Sequence, residues 1–257
     1  MDYIVICLAA LIGSGLTLFS GFGLGTILVP VFALFFPIEI AIALTAIVHF
    51  LNNLFKVALL GRHADWKIVL LFGIPALLAA YAGAKLLVLF TDMPALHEYM
   101  LNGKVFSIMP VKLVIAVLMI IFSTLELIPR FSKISFHRKY LPLGGIISGF
   151  FGGLSGHQGA LRSMFLLKAG LSKEAYIATG VLIAVLIDIS RLTVYAVIFK
   201  SMGSDLNYGL LVAATLSAFA GAYLGNKLVK KITIGTLHII VAIMLLAIAV
   251  LLGTGII

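Results

Sequence analysis

His49, Asn53 and Lys56 stand four and three residues apart in one apolar stretch, so a helix carries all three on one face. Farther along, Asp188 and Arg191 sit three apart in another such stretch. An ionisable group in the middle of a membrane segment costs roughly 2.5–3.5 kcal/mol on insertion scales, so it persists where a partner or a function retains it. Lys56 and Arg191 suit the binding of an anion, while His49 and Asp188 are candidates for exchanging a coupling proton. Plainer roles compete with these: an ion pair for Asp188 and Arg191, snorkelling for Lys56, interhelical hydrogen bonds for His49 and Asn53.

A second group lies in two glycine-rich runs, Ser20-Gly21-Phe22-Gly23-Leu24-Gly25-Thr26 and Ser155-Gly156-His157-Gln158-Gly159-Ala160-Leu161-Arg162. Glycine lets a backbone approach a ligand closely, and the helix that follows such a turn presents free N–H groups. That geometry suits an oxyanion, and the donor fork of Arg162 fits sulfonate, sulfite, phosphate or carboxylate oxygens. The candidate substrate-binding residues are therefore Ser20, Gly21, Gly23, Asn53, Lys56, Ser155, Gly156, His157, Gln158, Arg162 and Arg191. Packing serines, a helix-pairing amide and a satisfied buried histidine are the competing roles for Ser20, Ser155, Gln158 and His157. Glu39 and Glu174 fall at helix starts, where a carboxylate complements the dipole, and are read as capping residues.

These residues must be held by membrane helices. Of 257 residues, 63% are hydrophobic and 11% charged, with mean hydropathy +1.24, against roughly 45–50% and about 25% in soluble domains. Apolar runs long enough to cross the ~30 Å hydrocarbon core recur along nearly the whole chain, so the bilayer is a partner and no soluble domain is expected. The net charge of +9 gathers at the ends of these runs, which marks topology rather than nucleic-acid binding. Cys7 is a lone core cysteine. The first run lacks a basic n-region and a small-residue cleavage site, so it is expected to stay in the mature protein.

The chain also repeats itself. A shift of 135 residues lays Ser20-Gly21 on Ser155-Gly156, Glu39 on Glu174, Asn53 on Asp188 and Lys56 on Arg191. After the shift changes to 142, Ala80-Tyr81, Gly83 and Lys85-Leu86 fall on Ala222-Tyr223, Gly225 and Lys227-Leu228, and Trp66 on Tyr208. The expected fold is all-α, a polytopic helical membrane protein of two homologous four-segment halves, 1–138 and 139–257, forming one transmembrane domain. The segments are 3–36, 38–60, 68–90 and 111–128, then 140–170, 174–199, 207–229 and 234–256. The first of each half is too long for one span and is broken by glycines, the pattern that marks binding sites in transporters built from repeats. Close helix packing through small residues is the alternative use of those glycines.

Eight plain spans would put eight Lys/Arg on one side and seven on the other. If segments 3–36 and 140–170 instead dip in and return, one side collects Arg62, Lys67, Arg130, Lys133, Arg138, Lys139, Lys168, Lys173, Lys227, Lys230 and Lys231, and the other keeps Lys85, Lys104, Lys112 and Lys200. Eleven against four obeys the positive-inside rule. It makes the halves an inverted repeat of three crossings and one re-entrant hairpin each, with both termini outside.

The run Ser20-Gly21-Phe22-Gly23-Leu24-Gly25 through Pro30, then Ala43-Leu44-Thr45-Ala46 to Asn53, and Gly149-Phe150-Phe151-Gly152-Gly153-Leu154-Ser155-Gly156 together resemble the TauE/SafE family of sulfite and organosulfonate exporters. The resemblance spans both halves. It implies a permease of the cytoplasmic (inner) membrane of a prokaryote that moves small sulfur anions such as sulfite, sulfoacetate or thiosulfate, coupled to an ion gradient. His157, Gln158 and Arg162 make the second turn more polar than in many such proteins.

The leading expectation is thus a secondary transporter of a small anion. A passive anion channel built from the same cations is the alternative, told apart by whether flux follows a proton gradient. An intramembrane enzyme is disfavoured, because Cys7 stands alone and neither H-E-x-x-H nor a nucleophile with its base is present. No Gly-Lys-Ser/Thr follows the glycines, so neither nucleotide nor any other cofactor is called for, and no metal site is expected. A homo-oligomer is compatible with the sequence, which leaves transport direction open.

Overall fold

The computed structural model describes residues 2–20, 23–128, 134–202, 207–228 and 234–257. Expectations placed on Gly21, Arg130, Lys133, Lys230 and Lys231 lie outside these residues, as do those on the side chains of Ser20 and Lys227. Among the described residues there are ten α-helices: α1 Asp2–Ser20, α2 Leu24–Ala33, α3 Ile38–Leu60, α4 Trp66–Thr91, α5 Pro110–Leu127, α6 Leu141–Ser155, α7 Gly159–Leu166, α8 Lys173–Met202, α9 Tyr208–Leu228 and α10 Ile234–Gly253. Four of them, α3, α4, α8 and α9, are long and apolar enough by length and composition to cross a membrane. Glu39 and Glu174 occupy the first turns of α3 and α8.

Each glycine-broken segment is a helical hairpin. Gly13 of α1 lies against Leu24 and Ile27 of α2, with built Cβ distances of 3.1–3.3 Å. A straight helix would carry residue 27 about 20 Å beyond residue 13, so the chain doubles back between them. In the second hairpin Gly144 of α6 meets the ring of Phe165 in α7, and Ser148 Oγ donates to Gln158 O at 3.0 Å. Here Gly156 turns the chain, closing α6 in the left-handed region at φ +81°, a conformation that a side chain disfavours. Helices of ten and eight residues rise about 15 and 12 Å, too short to span the ~30 Å hydrocarbon core.

Most of the other glycines are packing positions. A Cβ on Gly221 would fall 2.0 Å from Leu11 O, and one on Gly225 would fall 2.6 Å from Gly15 O. The paired numbers rise together, so α1 and α9 run parallel at backbone contact. The same arrangement joins α4 to α6, with Gly145 against Phe72, Gly149 against Ala76 and Gly153 against Ala80. The first arm of each hairpin is thereby seated on the third long segment of the other half. α3 and α8 cross antiparallel: His49 reaches Asp188, while Asp65 N, beyond the end of α3, donates to Thr179 Oγ1 at 2.9 Å. α5 packs on α10. A Gly149→Val substitution places its Cβ within 2.1 Å of Ala76 O, so it is expected to destabilise the protein by about 1–3 kcal/mol. Size-exclusion chromatography after heating checks this, and an unshifted midpoint would contradict it.

One element is absent from the expected all-α plan. Strands β1 His97–Leu101 and β2 Lys104–Ile108 form a small antiparallel hairpin in register His97↔Ile108. Its turn is Asn102-Gly103, both at positive φ (51° and 76°), the dipeptide that two-residue hairpin turns prefer. Tyr99 stacks on Phe106, and its hydroxyl donates to Thr254 O at 2.6 Å, so the hairpin clasps the chain end beyond α10.

Candidate functional site

The tips of the two hairpins meet inside the helices. A Cβ on Gly25 would lie 3.1 Å from Gly156 O, and one on Gly23 would lie 3.8 Å from Gly159 N. Beside this meeting point is a cavity lined by Thr17, Gly23, Leu24, His49, Asn53, Lys56, Arg162, Leu166, Tyr176, Ile177, Gly180 and Val181. Five of the expected residues line it: Gly23, His49, Asn53, Lys56 and Arg162. The helical spacing of α3 brings the first three polar side chains there, Arg162 comes from α7, and the N-terminal end of α2 opens on the same space.

Among the described residues, two cations and no carboxylate line the cavity. Lys56 is buried, and its Nζ faces Asn52 Oδ1 at 3.2 Å when the Asn52 amide is oriented to satisfy both its ends. In that orientation Asn52 Nδ2 donates to Ala218 O at 3.2 Å and lies 3.1 Å from Ser14 Oγ. An amide oxygen orients the ammonium without neutralising it. Arg162 Nη1 donates to Gln158 Oε1 at 3.2 Å, one turn away. Both cations therefore keep uncompensated charge toward the cavity.

Asp188 lies behind this wall at 0% exposure, where it is fully engaged. His49 Nδ1 is 2.7 Å from Asp188 Oδ2, and Asn53 Nδ2 donates to the same oxygen at 3.3 Å. Arg191 donates to Asp188 Oδ1 from Nε at 2.9 Å and pairs with it through Nη2 at 2.7 Å. Its Nη1 reaches Gly152 O at 3.4 Å. The ion pair is complete and buried, as such pairs must be to persist in a low dielectric. The Tyr195 hydroxyl donates to Gly153 O nearby, tying α8 to α6. His49 thus touches the cavity on one side and a buried carboxylate on the other.

Among the described residues, the other expected ones do not line this cavity. Ser155 Oγ donates to Phe151 O one turn back at 3.1 Å. His157 stacks on Phe122 with ring centroids 5.2 Å apart, and its Nδ1 lies 3.1 Å from Ser155 O. Gly156 sits at the contact of the two tips, and Gln158 supports Arg162. Four residues with polar side chains that spacing did not single out belong to the site or its support: Thr17 and Tyr176 in the lining, Asn52 and Ser14 behind Lys56. Asn52 is one residue off the polar face but reaches Lys56 at i+4, a neighbour distance on a helix. Among the described residues no cluster of three or more His, Cys, Asp or Glu side chains has the geometry to hold a metal ion.

No curated protein matches the chain. The model of one family, described as sulfite exporter TauE/SafE, matches residues 5–252. With nearly the whole chain inside that match and its helices long and apolar, this multi-pass membrane permease belongs to the TauE/SafE sulfite exporter family.

Proposed function

We propose that the chain is a secondary transporter of small sulfur oxyanions, sulfite or an organosulfonate, in the cytoplasmic membrane of a prokaryote. The observation that carries this reading is the cavity at the hairpin tips, where Lys56 and Arg162 face a common space without a carboxylate. Neutral donors around them, Asn53, Thr17 and Tyr176, complete a set that accepts oxygen lone pairs. The bound species is an anion small enough to fit between the two cations, and no cofactor takes part.

His49 and Asp188 supply the coupling. His49 bridges the cavity and the buried carboxylate, so a proton taken up on the ring changes both the charge facing the anion and the bond to Asp188. The helix pairing supports an inverted repeat of residues 1–138 and 139–257: α1 lies along α9 as α6 lies along α4, and the equivalent helices α3 and α8 are antiparallel. Arg62, Lys67, Arg138, Lys139, Lys168 and Lys173 belong to segments gathered at one end of the bundle. The positive-inside rule makes that end cytoplasmic and puts both termini outside.

Uptake and efflux of radiolabelled sulfite, with an organosulfonate in parallel, test this in proteoliposomes with and without an imposed pH gradient. Gradient-dependent flux is expected for the wild type. In Arg162→Ala one charge-assisted contact of about 1.5 kcal/mol is lost, and apparent affinity falls roughly tenfold. Flux that follows only the anion gradient would indicate a channel, and flux of neither anion would refute the substrate assignment.

A further inference from the structure

The cavity has a counterpart across the hairpin tips that is packed shut. Under the 135-residue shift, Gly23, Asn53 and Lys56 correspond to Gln158, Asp188 and Arg191, while Gly180 corresponds to Thr45. These four form one continuous region. Arg191 Nη1 lies 3.2 Å from a Cβ built on Gly156, Gly156 O lies 3.1 Å from one on Gly25, and that same position is 3.9 Å from Thr45 Cγ2. Gln158 follows two residues after Gly156.

In the open half the corresponding residues face free space. In this half Thr45, Gln158 and Arg191 are 0%, 1% and 0% exposed, and the lining counterparts of Arg162 and Leu166 are the buried Ile27 and Val31. Thr45 Oγ1 and Gln158 Nε2 are buried without any hydrogen-bond partner. Folded proteins leave few such atoms, because each forfeits its hydration for nothing in return. Two of them occupy positions whose counterparts touch an anion cavity, and each is a donor pointing at no acceptor.

We propose that Thr45, Gln158 and Arg191 line the second half of the substrate path, closed here, which opens to the face carrying the chain termini when the Lys56–Arg162 cavity closes and there binds the same anion. A hydroxyl, an amide N–H and a guanidinium are all donors, as an oxyanion requires. The carboxylate of Asp188 is no obstacle to an anion, since His49, Asn53 and Arg191 already occupy its oxygens. The assignment rests on the inverted-repeat reading above and gives the two faces different residues.

Cysteine accessibility in sealed vesicles tests it. In a Cys7→Ser background, Thr45→Cys, Gln158→Cys and Gly180→Cys are each treated with the impermeant anionic reagent 2-sulfonatoethyl methanethiosulfonate, in right-side-out and inside-out vesicles. Sulfite is left out because it cleaves the mixed disulfide that labelling forms. Gly180 accepts a Cβ at ordinary contact distances, 3.5 Å from Arg162 Nε. The expected result is modification of Gly180→Cys only from the basic-loop face, and of Thr45→Cys and Gln158→Cys only from the face carrying the termini. Protection of both latter variants from either side, or their labelling from the same face as Gly180→Cys, overturns the proposal. Wild-type sulfite flux in the same vesicles separates the two readings. Labelling on opposite faces without flux leaves the two-sided path standing and removes the substrate, whereas flux with Thr45 and Gln158 protected does the reverse.

Discussion

Replacing Asp188 by alanine is expected to destabilise the folded protein by about 3–5 kcal/mol, the cost of leaving a buried charge without its partner. Arg191 is fully buried, and beyond Asp188 its guanidinium makes a long contact to Gly152 O at 3.4 Å, with no second carboxylate to neutralise it among the described residues. His49 and Asn53 lose their common acceptor at the same time. The double variant Asp188→Ala/Arg191→Leu removes both charges together, so most of that loss should return, as it does when buried ion pairs elsewhere give way to apolar side chains. Thermal unfolding of the detergent-purified variants, followed by size-exclusion chromatography, reads both effects. A single variant as stable as the wild type would mean that the pair carries no structural weight. The double variant is expected to be folded and inactive in transport, which separates holding α3, α6 and α8 together from handling the substrate.

The second large effect belongs to Lys56. Lys56→Met keeps the length and apolar stem of the side chain and removes only the ammonium. Burying a methyl group in place of a charge does not weaken the fold, so the variant should melt no lower than the wild type. Its apparent affinity for sulfite should fall roughly a hundredfold, corresponding to about 3 kcal/mol for a buried charge-assisted contact. Concentration-dependent uptake in proteoliposomes measures this. An unchanged half-saturation concentration would place the anion elsewhere. Lys56→Arg is a poor rescue despite its charge, because the longer, planar guanidinium does not fit where a compact ammonium stands 3.2 Å from Asn52 Oδ1.

Much of this arrangement was legible because rare residues in an apolar chain carry strong signals. Asn53, Lys56, Asp188 and Arg191 stand out against their surroundings, and helical spacing alone puts Asn53 and Lys56 with His49 in the cavity wall. The doubling back of the chain between α1 and α2, and again at residues 156–158, was legible from segment length. What glycine does in each place was not. Gly149 and Gly153 carry the same symbol as Gly156, yet they mark where α6 touches α4, while Gly156 marks where the chain turns. Only the partner helix distinguishes them, and that partner lies some seventy residues away. Tyr176 is equally silent in sequence, since an aromatic residue in the first turns of a membrane helix ordinarily marks an interface. His157 shows the converse: a histidine beside a glycine turn looks like a ligand residue, and nothing in the sequence says that its ring stacks on Phe122 from another helix. The β-hairpin, by contrast, had its signal in plain view in Asn102-Gly103, between two alternating runs.

The parallel seating of α1 on α9 and of α6 on α4 has a consequence for biogenesis. A membrane protein is inserted progressively as it is synthesised, and α1 enters well before α9. Its glycine face, Gly15 included, has no mate until α9 emerges some two hundred residues later. During that interval small residues that belong against a backbone face lipid or whatever protein attends insertion. The α4–α6 pair, separated by one short helix and a hairpin, can join much sooner. A late helix therefore locks an early one into place, and a chain interrupted before α9 would leave the α1–α2 hairpin without a seat.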